Sequence, residues 1–125
     1  MSSILAISFG AIFGALLRWW LGFTLNSILP TLPLGTLAAN LLGGFIIGMV
    51  IAVNRNHAYF PEAVQLMIVT GFLGSLTTFS TFSAEAVTLI SHQEYVWSFI
   101  LIMAHVAGSI GATMMGIYTI KMIAS

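Results

Sequence analysis

The chain has 125 residues, 59% of them apolar and only 5% charged, with three Lys/Arg balanced by three acidic side chains. A water-soluble domain of this size needs a polar skin that so few charges cannot supply, which excludes that class and makes lipid the solvent. The lack of a basic excess argues against nucleic acid as a partner, and the lack of cysteine excludes disulfides and thiolate metal sites.

The first apolar segment runs from about Ile4 to Leu25 and stops before Asn26, Pro30 and Pro33. No basic n-region precedes it and it is long enough to stay in the membrane, so it reads as a span and not as a signal peptide. Ala6, Gly10 and Gly14 recur at i+4, a small-residue row of the kind that lets helix backbones touch in lipid. Arg18 follows on the same face, after roughly 21 Å of helix, and Trp19 and Trp20 come next. Two readings stand. The guanidinium snorkels into an aromatic belt, or it faces protein, where a cation at depth costs a few kcal/mol unless paired or hydrated. With no carboxylate on its own helix, the second reading suits an anion vestibule.

Leu34 to Val53 forms the second segment, uncharged and roughly 30 Å long at helical rise, about one hydrocarbon thickness. Thr36, Asn40, Gly43 and Gly44 share one face of it, and Gly44 and Gly48 continue the small-residue pattern. Asn54-Arg55-Asn56-His57 through Pro61 is the most polar stretch and reads as a loop. The third segment, about Ala63 to Ile90, is too long for one straight helix across a bilayer and carries GFLGSLTTFSTFSAE from Gly71 to Glu85. Glycines and hydroxyl residues in mid-span predict a broken helix whose freed carbonyls and amides can hold ions if protein shields them from lipid. Beyond the break Phe79 and Phe82 share one face, with Thr81, Glu85 and Thr88 roughly opposite. The doubled Phe is either a packing ridge or a pair of rings whose positive edges attract a small anion.

Ser91-His92-Gln93-Glu94 reads as the next loop, and Tyr95 to about Ile120 as the fourth span. Ala104, Gly108, Ala112 and Gly116 form its small-residue row, while Ser98, His105, Ser109 and Thr113 fall within one narrow arc. Such polar stripes either glue helices together or line a polar route. A bundle this small has little room for a wet lumen of its own, which favours a route at a subunit interface. A nucleotide loop and a catalytic triad are both absent, and a lone Glu and His do not make a hydrolase site, so no enzyme is expected.

Together, GALLRWWLG (Gly14 to Gly22), GTLAANLLGG (Gly35 to Gly44), GFLGSLTTFSTFSAE and HVAGS (His105 to Ser109) resemble, in order and over nearly the whole chain, the small bacterial fluoride channels known as Fluc or CrcB. The resemblance implies an all-α integral membrane fold, a single domain over residues 1–125 with four transmembrane helices and the third broken mid-membrane. It implies an antiparallel, dual-topology homodimer in the bacterial inner membrane, with two pores that pass fluoride and exclude chloride. A structural sodium ion at the dimer centre would be held by backbone carbonyls of Gly74 and Thr77. Phe79 and Phe82 would be the aromatic pore residues, Asn40 a pore donor and Arg18 a vestibule cation. Ser80, Thr81, Ser83, Glu85, His105, Ser109 and Thr113 would supply polar contacts along or near the route. Three rivals remain at this level. A small multidrug exporter has the same span count, but it needs a membrane-embedded Glu in the first helix, where this chain has Arg18. A proton-coupled fluoride antiporter could use Glu85 or His105, and an assembly subunit would show no flux.

Overall fold

A computed structural model describes residues 2–56 and 60–125, so His57 of the expected polar loop lies outside the described residues. All the regular structure described is helical. Helix α1, Ser3–Leu25, starts at Ser2, whose hydroxyl accepts the Leu5 N–H at 3.3 Å. Helix α2, Leu34–Arg55, begins after Pro33, which offers no side-chain cap. Asn26 supplies one from the preceding loop: its Oδ1 accepts from the amides of Gly35 at 2.7 Å and Thr36 at 3.2 Å. Two of the orphan donors that every helix start leaves are thereby satisfied.

The third span, Glu62–Ser91, is composite. It comprises α3 (Glu62–Gln65), a π-helical stretch (Leu66–Leu73), α4 (Gly74–Leu76), two extended residues and α5 (Phe79–Ser91). A tight turn follows, with Gln93 at φ 59° and the Glu94 N–H bonded to the Leu89 carbonyl at 2.9 Å. Helix α6, Tyr95–Ala124, completes, among the described residues, four helical spans long and apolar enough to cross a membrane, and it continues one turn past the expected end.

The small-residue rows lie where backbones meet. A side chain on Gly10 would run into the Met67 carbonyl, and one on Gly71 into the Ile7 carbonyl, so α1 lies directly on the π-helical stretch. In the same way Gly48 abuts the Thr113 carbonyl and Gly116 the Phe45 carbonyl, joining α2 to α6. Lipid tails are as apolar as leucine, so close packing and hydrogen bonds hold such helices together. The Ser75 hydroxyl adds one of the latter, donating to the Ala11 carbonyl at 2.9 Å. One apolar cluster, around Ala39, Leu73 and Leu76, joins α2 to the third span. A second gathers Leu32, Phe82, Ala86, Leu89 and Leu101 under the loop that follows α1. Ile4, Phe9, Phe13, Trp20, Ile110 and Met114 are all exposed on the protomer, as lipid contact requires and water does not permit on this scale.

The break is narrower than the sequence suggests. Gly71 to Leu76 remain helical, and only Thr77 (φ −81°, ψ 153°) and Thr78 (φ −150°, ψ 116°) are extended. Gly71 serves the contact with α1 and does not interrupt the helix.

Candidate anion site at the helix break

In an unbroken α-helix the Thr78 N–H would bond the Gly74 carbonyl, and the Thr81 N–H the Thr77 carbonyl. Here both amides go elsewhere. Thr78 N–H donates to Asn40 Oδ1 at 2.7 Å, and Thr81 N–H donates to Thr78 Oγ1 at 3.2 Å. The carbonyls of Gly74 and Thr77, the pair the family resemblance implies for a cation, are among those that lose their helical donors at the break. Gly74 is exposed on the protomer and Thr77 half-buried.

Asn40, projecting from α2, bridges the break. Besides accepting from Thr78 N–H, its Nδ2 donates to the Thr78 carbonyl at 3.0 Å and lies 2.9 Å from His105 Nδ1 on α6. Three helical elements thus meet on one amide. Thr78 in turn caps α5 and donates its hydroxyl to Thr81 Oγ1 at 3.1 Å, with Ser80 Oγ 3.4 Å away.

Two cavities share Thr78 as a wall. The first, about 540 Å³, is lined by Asn40, Gly74, Thr77, Phe79, Phe82, His105 and Ser109 among others. The second, about 390 Å³, is lined by Arg18, Trp19, Asn26, Thr36, Thr78 and Thr81 among others. Neither lining holds a carboxylate. The acidic side chains of this region, Glu85 and Glu94, line a third cavity of about 440 Å³ together with Thr81, Thr88 and His92. The first space is mostly apolar with a few amide and hydroxyl groups, the second adds the Arg18 guanidinium, and the absence of a carboxylate from both linings suits an anion better than a cation.

The two phenylalanines differ sharply in setting. Phe79 is 76% exposed on the protomer, whereas Phe82 is 6% exposed and belongs to the apolar cluster under the first loop. Their rings meet edge to face with centroids 5.3 Å apart, and Phe82 also stacks on His105 at 4.6 Å. The remaining expected residues divide. Ser109 lines the first cavity. Thr113 packs beside Gly44, and its hydroxyl donates to the Ser109 carbonyl of its own helix at 2.9 Å. Glu85 Oε2 accepts from the buried Thr36 hydroxyl at 2.8 Å, and Ser83 is half-buried and lines none of the three cavities.

Thr78, which caps α5 and walls both cavities, is the site position that sequence reasoning passed over. The available signal was a Thr placed to cap residues 79–91, since Ser and Thr are favoured where a helix begins. The Asn26 cap of α2 and the Thr36–Glu85 bond link residues far apart in sequence, and no local pattern marks them.

Known proteins resemble the chain over nearly its whole length. The family of CrcB-like proteins, described as Camphor Resistance (CrcB), matches residues 5–117. The chain is 52% identical over 122 residues to a protein of Nitrosospira multiformis, an alignment covering 98% of this chain and 95% of that one. It is 49% identical to a protein of Thiobacillus denitrificans, covering 97% and 98% respectively. Against a protein of Chromobacterium violaceum the identity is 54%, over 92% of this chain and 91% of the other. All three relatives are named fluoride-specific ion channel FluC.

Proposed function

The chain belongs to the CrcB family, and from that premise we propose that it is a fluoride-selective passive channel, two copies of which assemble antiparallel around two pores. Its relatives are named ion channels, so its activity is conduction and not catalysis. The single observation that carries the reading is the pair of cavities walled by Thr78, in which amide and hydroxyl groups stand among apolar side chains, with Arg18 in the second and a carboxylate in neither.

Fluoride enters a cell as neutral HF from acid and ionises inside. An open pore lets a membrane potential negative inside expel the anion, at about 2.3 kcal/mol per 100 mV. Arg18 would raise the local anion concentration at the mouth. The edges of Phe79 and Phe82 would attract the ion without trapping it. The exposure of Phe79 and Gly74 supports completion of the first cavity by a second subunit.

We assign the carbonyls of Gly74 and Thr77 to a sodium ion at that junction, which would neutralise oxygens that have lost their helical donors. A hard cation with oxygen ligands suits this donor set, and side-chain carboxylates are not needed. Arg55 and Lys121 fall on one side of a four-span arrangement and Arg18 lies towards the other, a charge bias too small to fix orientation. Reporters fused to the carboxyl terminus should therefore read out on both sides of the membrane, and a single orientation would remove the antiparallel dimer.

Reconstitution tests the function. Liposomes holding the pure protein should release fluoride rapidly once valinomycin and potassium balance the charge. Slow, saturable release that needs a proton gradient would instead assign the antiporter, with Glu85 or His105 as proton carrier.

A further inference from the structure

Arg18 stands alone in the wall of the second cavity. Its guanidinium makes no hydrogen bond or ion pair to a described residue, and no carboxylate lines the space. A half-buried cation at that position in a span is costly unless an anion or water meets it. Asn26 lines the same cavity with unspent donors of its own. The amides of Gly35 and Thr36 can only donate, at 2.7 and 3.2 Å, so they fix the Asn26 Oδ1 towards α2 and leave both Nδ2 hydrogens free. That Nδ2 lies against Gly22, itself a wall residue, where an added Cβ would come within 3.3 Å of it.

The same wall carries two aromatic rings. Trp19 and Phe23, one turn apart on α1, stack with centroids 5.6 Å apart and an interplanar angle of 21°. Both line the cavity, and both are exposed on the protomer, at 65% and 74%. A membrane belt accounts for exposed rings, but it does not require them to share a cavity with an unpaired guanidinium and an oriented amide. Fluoride alone has no use for so much apolar surface. We propose that this cavity binds a small aromatic carboxylate, benzoate being the simplest, and that the bound anion blocks the channel. The planar guanidinium takes the carboxylate with two parallel N–H donors, Asn26 Nδ2 adds a third, and the ring lies along Trp19 and Phe23. At about 390 Å³ the space has the size of small-molecule sites, which likewise join an apolar lining to a few placed polar groups. Thr78 walls this cavity and the first, so a ligand here stands across the anion's approach to the break. The block rests on the fluoride-channel reading, whereas the binding does not.

The test follows indole fluorescence of the full chain in phosphatidylcholine nanodiscs, with Trp20 and Trp97 replaced by Phe so that Trp19 is the one indole left. Benzoate at neutral pH should change the Trp19 signal saturably and should slow fluoride release from liposomes over the same concentration range. Acetate, which has the charge without the ring, and benzyl alcohol, which has the ring without the charge, should each be weaker by about tenfold or more. Arg18→Gln should weaken benzoate binding by a similar factor, as loss of a charge-assisted pair implies. Phe23→Leu should weaken it less. Acetate as effective as benzoate would reduce the cavity to a simple anion site, and benzyl alcohol as effective would place the ring in lipid. Either result overturns the proposal, as does benzoate binding that leaves flux untouched. Loss of the benzoate signal when phosphatidylglycerol replaces phosphatidylcholine would overturn it too, by assigning the cavity to a lipid phosphate. The ligand series needs no substitution in the cavity, so it decides the matter even where Arg18→Gln fails to fold. Wild-type protein that passes no fluoride would instead sink the channel reading and leave the fluorescence test standing.

Discussion

Asn40 and Thr78, on different spans, are joined by a two-way hydrogen bond: Oδ1 accepts the Thr78 N–H at 2.7 Å and Nδ2 donates to its carbonyl at 3.0 Å. A side-chain oxygen here replaces the backbone acceptor that the break takes from the Thr78 N–H, and the side-chain nitrogen adds a donor to its carbonyl. This explains how an extended pair of residues persists inside a span, where an unsatisfied backbone group has no water to turn to.

Removing the amide should therefore affect stability as well as transport. Asn40→Ala orphans the Thr78 N–H, and each buried unsatisfied group costs about 1–3 kcal/mol. We expect a lower unfolding midpoint in detergent together with lost fluoride flux. A variant of wild-type stability would show that the break holds without Asn40.

The aromatic pair should separate the same two effects. Phe82 is buried in the protomer, so Phe82→Ile should destabilise by about 1–2 kcal/mol through lost packing. Phe79 is exposed on the protomer, and Phe79→Ile should leave protomer stability nearly unchanged. Both should lose fluoride flux while the dimer persists in cross-linking. Normal conduction in both would reduce the rings to packing.

Much of this was legible in the sequence. Span count, the small-residue rows and the interrupted third span follow from hydropathy, i+4 spacing and the Gly71 to Glu85 stretch, because lipid leaves the backbone few alternatives. The location of the break was less so. Gly71 looks like a helix breaker, yet it remains helical because α1 lies against it, and that neighbour is invisible to local sequence. Likewise the arc containing His105 and Thr113 is correct as a face of α6. It does not tell that Thr113 would bond its own helix while His105 would meet Asn40.

Glycine substitutions test the packing directly. A Cβ at Gly48 would press on the Thr113 carbonyl, so Gly48→Ala should cost about 1–3 kcal/mol. Gly111 has open space around the same position, and Gly111→Ala should be neutral or stabilising by up to about 1 kcal/mol through helix propensity. Thermal melts in one detergent would compare them, and equal effects would contradict the helix contacts described.

The sodium assignment makes a distinct claim. Around Gly74 an added Cβ meets only the Val69 carbonyl, at 3.6 Å, so the protomer itself tolerates a side chain there. Gly74→Leu should nonetheless weaken the dimer and abolish flux, as should replacing sodium with a large organic cation. Thr77→Ser, which keeps the carbonyl, should be mild. A sodium gradient should not drive fluoride. Full activity in sodium-free medium would remove the ion from the account.

The most direct measurement is the reversal potential of the pure protein in a planar bilayer with a fluoride gradient and symmetric chloride. A passive fluoride-selective pore lined by donors and Arg18 should reverse at the fluoride equilibrium potential and stay there when a pH gradient is imposed. A reversal that follows chloride, or moves with the pH gradient, would contradict it.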